Sequence, residues 1–153
     1  MKFISVATMR EVERQADAAG LTYAEMMQRA GKGLGEFVDQ IYGSSSEKTV
    51  FGLVGPGNNG GDVLVALAIL AGAGWKPIAY LSQPRPAEDI LMINIQMSGC
   101  QVFMMLEDQG YHNLDEELEK ATVMLDGLLG TGFEMPLKPD LAGLLTHIGS
   151  KQV

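Results

Sequence analysis

An α/β domain, with a mostly parallel sheet between helical layers, is what the sequence predicts, and three observations carry it. From Thr49 onward, short runs rich in β-branched and aromatic residues alternate with longer segments of helical periodicity. The short runs are apolar throughout rather than at every second position, as strands covered on both faces by crossover helices must be. Two of them open directly into glycine-rich turns, GPGNNGGD after Val54 and DGLLGTG after Leu125, the pattern of loops at the carboxyl edge of an open sheet.

Two helices come first. Thr8 and Glu11 stand at capping-box spacing and predict a helix that Gly20 ends. Thr22 and Glu25 repeat the signal for a second helix, with Met26, Ala30, Leu34, Phe37, Val38 and Ile41 as its inward face. Gly31, Gly33 and Gly35 each weaken that helix by about 1 kcal/mol against alanine, which points to close approach of a neighbouring backbone. After the polar break Gly43–Lys48, strands are expected at Thr49–Val54, Pro77–Ser82, Val102–Leu106 and Thr122–Leu125. Helices are expected near Asp62–Ala73, Ala87–Ser98, Asn113–Lys120 and Asp140–Ile148. The acidic run Asp115–Glu119 reads as a solvated helix face with Leu114 and Leu118 turned inward. Lys151-Gln152-Val153 resembles the approach to a further strand, so the sheet is expected to be cut short at its carboxyl end.

A chain of 153 residues accommodates one domain, here expected over 1–153. No apolar run reaches the length of a membrane span, and the start turns polar too soon for a signal peptide; a soluble cytoplasmic protein is the expectation. Eleven basic against 19 acidic side chains give a net charge of −8, which opposes binding to a phosphate backbone and disfavours nucleic acid. One cysteine, Cys100, and two histidines, His112 and His147, offer no zinc-ligand spacing and no nucleophile with its base.

The chemistry lies in the two glycine turns. Gly55, Gly57 and Gly60 spell G-x-G-x-x-G, but no acidic residue follows at the ribose-binding distance, and no Gly-Lys-Ser/Thr is present. An ordinary dehydrogenase and a P-loop are thereby disfavoured. The loop does supply free amides at a helix start, the amide oxygens of Asn58 and Asn59 and the carboxylate of Asp62, a set suited to a phosphate beside a weakly held cation. The alternative has Asn58 and Asn59 in left-handed conformations and Asp62 as the helix cap. Asp126, at the end of its strand before Gly127, Gly130 and Gly132, is the second candidate, as ligand or as turn cap.

These residues resemble a known family, the NAD(P)H-hydrate epimerases, or YjeF N-terminal domains. The resemblance rests on Met27-Gln28-Arg29-Ala30-Gly31, on the NNGGD loop ending at Asp62, on Pro84-Arg85-Pro86, on Asn94, and on Asp126 with Gly130-Thr131-Gly132-Phe133. It implies a Rossmann-like three-layer α/β/α sandwich that interconverts the R and S forms of hydrated NADH and NADPH. It implies substrate contacts at Asn58, Asn59, Gly60, Gly61 and Asp62 and at Gly130, Thr131, Gly132, Phe133, Glu134, Met135 and Pro136. It also implies a potassium ion held by Asn59 and Asp126, with Asp126 as the acid/base group, and a fused or separate dehydratase as partner. The chain departs from the family pattern at Val63, where a small residue is usual, at Gln28, where Glu is usual, and in lacking the family's later Asp-x-Pro-Ser-Gly segment. Some relatives of this fold act as binding or dimerisation modules, so a non-catalytic scaffold is the alternative, and the two amino-terminal helices are a candidate homodimer face.

Overall fold

The computed structural model describes residues 4–151. Four strands form one parallel sheet, β1 (Thr49–Val54), β2 (Lys76–Leu81), β3 (Gln101–Met104) and β4 (Val123–Gly127), in the order β3-β2-β1-β4. Every side chain of β1 is buried. The strand divides its apolar residues between two cores, Val50 and Val54 facing one and Phe51 and Leu53 the other, because successive side chains point to opposite sides of the sheet. Ala79 and Leu81 of β2 join the first core, Ile78 and Tyr80 the second. The unbroken apolar runs thus have their cause in a sheet covered on both faces.

One layer contains α3 (Asn58–Gly72) and α4 (Ile90–Met97), with α2 (Tyr23–Tyr42) lying across α3. The other contains α5 (His112–Lys120) and α6 (Pro139–Gly149), whose Leu114 and Leu144 are completely buried. The result is the expected three-layer sandwich. Leu114 and the half-buried Leu118 do face inward, and Asp115 ties α5 to α6 through His147 Nε2 at 2.8 Å and Lys151 Nζ at 2.6 Å. His147 is therefore structural, and Cys100 is buried, its thiol pushed up to about 12 by burial.

Several elements differ from the sequence expectation. The cap of α1 (Val6–Ala18) is Ser5, whose Oγ accepts from the Thr8 N–H at 3.1 Å. Thr8 lies inside the helix, and Glu11 pairs with Arg14 instead of reaching back. The Thr22–Glu25 capping box is present as expected. Of the proposed inward face of α2, Val38 is buried and Leu34 packs on the core, but Phe37 and Ile41 are exposed. The inward stripe is instead Met27, Gly31, Leu34, Gly35 and Val38. A Cβ on Gly31 would stand 2.6 Å from the Asp62 carbonyl of α3, and one on Gly35 3.1 Å from the Ala66 carbonyl. A Cβ on Gly33 would meet nothing within 4 Å, so two of the three glycines serve close packing.

β3 ends two residues before the expected Leu106, giving way to 3₁₀ turns at Met105–Glu107 and Gln109–Tyr111. Buried Asp108 organises this junction, accepting from Tyr80 Oη and from the Asn113 and Leu114 N–H groups, each at 3.0 Å. α4 begins at Ile90 rather than Ala87, with Asp89 as its cap. Lys151 lies in a bend after α6, and the rest of the anticipated approach to another strand falls outside the described residues.

Candidate functional site

The strand order creates the site. From β1 the chain moves through α3 to β2 and on to β3, then α5 carries it back to the opposite side of β1 as β4. The loops leaving β1 and β4 therefore diverge at neighbouring carboxyl ends, the switch point at which open α/β sheets bind ligands. Both glycine turns lie there. A groove of about 690 Å³ exists elsewhere, lined by Thr49, Trp75, Lys76, Gln101 and Lys120 at the amino ends of the strands, on the edge opposite the convergent polar groups.

The turn after β1 is shorter than the sequence suggests. Asn58–Asp62 form the first helical residues of α3, capped by the backbone of Gly57 without a side-chain bond. Asp62 is thus not the helix cap, and neither asparagine is left-handed, Tyr111 being the sole described non-glycine residue with positive φ. Helix forms through two adjacent glycines because tertiary contact requires them. A Cβ on Gly60 would collide with the Gly55 carbonyl, and one on Gly61 would stand 2.5 Å from the Met27 sulfur. Close approach here overrides the weak helix propensity of glycine.

The two loops are joined by hydrogen bonds. The Gly55 N–H donates to the Gly127 carbonyl at 3.1 Å, and Asn59 Nδ2 donates to the Leu129 carbonyl at 2.7 Å. A Cβ on Gly130 would lie 3.6 Å from Asn59 Oδ1, placing Asn59 against the Gly130 turn. Asp126 pairs in register with Leu53 of β1, and its Oδ1 accepts from the Leu128 N–H at 3.0 Å, so it does close its own turn. Asp126 as a residue is exposed. Asn59 and Asp126 both bring side-chain oxygens to this edge, and among the described residues no cluster of three His, Cys, Asp or Glu side chains could hold a metal ion. Since Asn59 uses its nitrogen on Leu129, its oxygen is left as an acceptor, which suits an alkali ion.

Asp62 is half-buried, and burial raises its carboxyl above the ordinary value, with the Glu13 carboxylate of α1 adding to the shift. The segment 131–136 is exposed, with Phe133 and Met135 largely in solvent. It stands beside the site as an open flank rather than a closed wall. Arg10 of α1 reaches it, Nη2 donating to the Thr131 carbonyl at 2.7 Å.

Two participants escaped sequence reasoning as site elements. One is Arg10. The other is Arg85, whose Nη1 donates to the carbonyls of Gly55 at 3.2 Å and Pro56 at 3.4 Å while its Nε pairs with Asp89 at 2.7 Å. The signal available was a cation in the short loop after β2, four residues before an aspartate at a helix start.

With the geometry in view, comparison with known proteins is informative. Residues 23–153 match the family described as YjeF-related protein N-terminus. The chain belongs to this family. It is similar to the NAD(P)H-hydrate epimerase of Bordetella parapertussis, 30% identical over 97% of this chain and 60% of that protein. It is also similar to that of Schizosaccharomyces pombe, 24% identical over 98% of this chain and 62% of that protein. A protein of Gloeobacter violaceus called bifunctional NAD(P)H-hydrate repair enzyme Nnr is 27% identical over 98% of this chain and 28% of its own length. The crystal structure of yeast ynu0, YNL200c, superposes with a TM-score of 0.83 at 24% identity, covering 97% of this chain and 65% of that one. The YjeF N-terminal chain thus shares that fold and spans between 49% and 62% of the length of such epimerases.

Proposed function

We propose that this YjeF N-terminal domain interconverts the R and S forms of hydrated NADH and NADPH, as an isomerase in nicotinamide cofactor repair. The observation that carries the reading is the bond from Asn59 to the Leu129 carbonyl, which fastens the NNGGD turn to the Asp126–Gly132 turn at the switch point. The names of the relatives, NAD(P)H-hydrate epimerase, support the substrate class.

In this reading the first-turn amides of α3 and the Asn58–Asp62 segment hold the substrate, and Gly130–Pro136 flanks it. Asp126 accepts the proton of the C6 hydroxyl. As that proton leaves, C6 becomes a carbonyl, the C6–N1 bond breaks and N1 takes up a proton. Rotation and re-addition of N1 to the other face return the hydrate with C6 inverted and no net change in atoms or electrons. Asn59 and Asp126 would hold a potassium ion, which would supply positive charge that favours the ionised carboxylate. The S form is the one a dehydratase partner, separate or fused, consumes, and the cytoplasm is the compartment expected. Among the described residues no helix is long and apolar enough to cross a membrane.

A second reading, a dimerisation or scaffold module, is favoured by one observation. α1 buries no residue, and Val6, Met9 and Val12 on it, with Phe37 and Ile41 on α2, are exposed. The test is chirally resolved interconversion of R- and S-NADPH hydrate with and without potassium, against the spontaneous rate. The expected result is potassium-stimulated turnover that Asp126→Asn lowers by about a hundredfold or more while leaving the fold intact. Turnover undiminished in Asp126→Asn sinks the assignment of that residue, and no turnover above background in the whole protein favours the scaffold.

A further inference from the structure

We propose that Arg85 is a positioning residue for the proposed site, setting the orientation of the peptide groups that lead into α3. Three consecutive carbonyls at the end of β1 accept hydrogen bonds from one short segment after β2. Val54 accepts from the Ser82 N–H at 2.9 Å and from Ser82 Oγ at 3.2 Å, and Gly55 and Pro56 accept from Arg85 Nη1. The ladder between β1 and β2 is in this way continued past the sheet by a side chain. The arginine is itself held, because its Nε–Asp89 pair is largely shielded from solvent, only 13% and 14% of the two side chains being exposed.

The pair is not needed to cap α4. Asp89 caps through Oδ1, which accepts from the Leu91 N–H at 2.9 Å, and gives Arg85 the other oxygen. What Arg85 adds is its reach to Gly55 and Pro56. The described X–Pro bond that is cis is Met135–Pro136, and Pro56–Gly57 is trans. In a trans peptide the carbonyl and the following N–H point in opposite directions. With the Pro56 carbonyl turned to Arg85, the Gly57 N–H is turned away from it. That amide donates to no carbonyl or side chain among the described residues. It joins the amides of the first turn of α3, which have no partner within the helix. A Cβ on Gly60 would not fit against the same Gly55 carbonyl. Arg85 and Gly60 thus both stand against the Gly55 peptide.

A planar fork is required for this role. Lysine at 85 retains the charge but cannot hold Asp89 and two carbonyls at fixed angles. Because the amides hold the part of the ligand that does not react, loss of the fork weakens substrate binding and leaves the chemical step little changed.

This inference rests on the epimerase reading for its kinetic part alone, and the experiment separates the two. ¹⁵N–¹H spectra of the ligand-free protein are compared for the wild type, Arg85→Lys and Arg85→Gln, followed by NADPH hydrate kinetics. Both variants are expected to shift the amide resonances of Gly57, Asn58, Asn59 and Gly60, with those of β1 unmoved. They are expected to raise KM for the hydrate about tenfold with kcat within about twofold. Unmoved loop amides in both variants overturn the proposal, as does a fall in kcat at constant KM. Absence of wild-type turnover overturns the epimerase reading and leaves the amide comparison to decide the role of Arg85. Should neither variant fold, Asp89→Asn, which retains a cap for α4, is expected to shift the same amides to a smaller extent, and unmoved amides there are equally decisive.

Discussion

The glycines of α2 offer a test in which one substitution, made one helical turn or less apart, changes sign. Alanine at Gly33 meets nothing within 4 Å, so it gains the helix preference of alanine over glycine, about 0.5–1 kcal/mol. At Gly31 the same methyl stands 2.6 Å from the Asp62 carbonyl and 2.7 Å from Val65 Cγ1, about 0.8 Å or more inside ordinary contact. The carbonyl belongs to a helix backbone and cannot turn aside, so α2 must lift from α3, at an overpacking cost of about 1–3 kcal/mol against the same propensity gain. Gly31→Ala should therefore destabilise by up to about 2.5 kcal/mol net and differ from Gly33→Ala by the overpacking cost, roughly 1–3 kcal/mol. For a chain of this size that is a gap in melting temperature of about 2–12 °C. Gly35, with its nearest contacts at 3.1 Å, falls between them. Urea unfolding and thermal melting of the three variants check the series. Equal stability of Gly31→Ala and Gly33→Ala would refute the argument that close packing, rather than flexibility, selects these glycines.

Two further expectations concern ionisation. Burial raises the Asp62 carboxyl, so its ionised form opposes folding at neutral pH, and this cost vanishes below the unfolded carboxylate value of about 4, where both states are protonated. Asp62→Asn should then melt higher than the wild type at pH 7 and lose that advantage below about pH 4; a lower melting point at pH 7 contradicts the reading. Asp108 is the opposite case: burial alone would raise it, but bonds from Asn113, Leu114 and Tyr80 outweigh this and hold it below the usual range. Its contribution is present above the unfolded value near 4 and is lost as pH falls through the lower folded value. Tyr80→Phe removes one of those bonds and should cost about 1–3 kcal/mol at pH 7, with a smaller deficit at pH 2–3. A deficit that does not change with pH separates Tyr80 from the carboxylate.

Much of the sheet was legible because burial on both faces leaves a plain mark, apolar runs such as TVFGLV and PIAYL. The Thr22 cap was legible because both partners of its box are local. Ser5 was missed for the converse reason. Ser5 and Thr8 are hydroxyl residues three apart, Glu11 has the spacing to serve Thr8, and sequence alone favours the later start. The inward face of α2 was misjudged at Phe37 and Ile41 because apolar periodicity counts large side chains, whereas this interface is built on Gly31 and Gly35. The helical first turn at Asn58–Asp62 was hidden for a related reason: glycine reads as a loop until the Gly55 carbonyl and the Met27 thioether are seen against it. At the site, the carboxyl edge and its two turns could be read from the glycine spacing after Val54 and Leu125. The bonds from Arg85 to Gly55 and from Arg10 to Thr131 could not, because they span 30 and 121 residues and end on backbone carbonyls.

The two turns at the switch point are held by parts of very different firmness. The β1 turn runs from a strand buried at every residue into the helix whose Leu64, Leu67 and Leu70 form the centre of the first core. The backbone that carries its amides is displaced only with the most cooperative part of the fold. The segment after Gly130 is exposed, and its attachment to the amino-terminal helix is Arg10, borne by a helix with no buried residue. Local opening there costs little. The crevice accordingly has one fixed jaw and one compliant jaw, so a ligand that tightens the segment 131–136 on binding spends conformational entropy on that side alone.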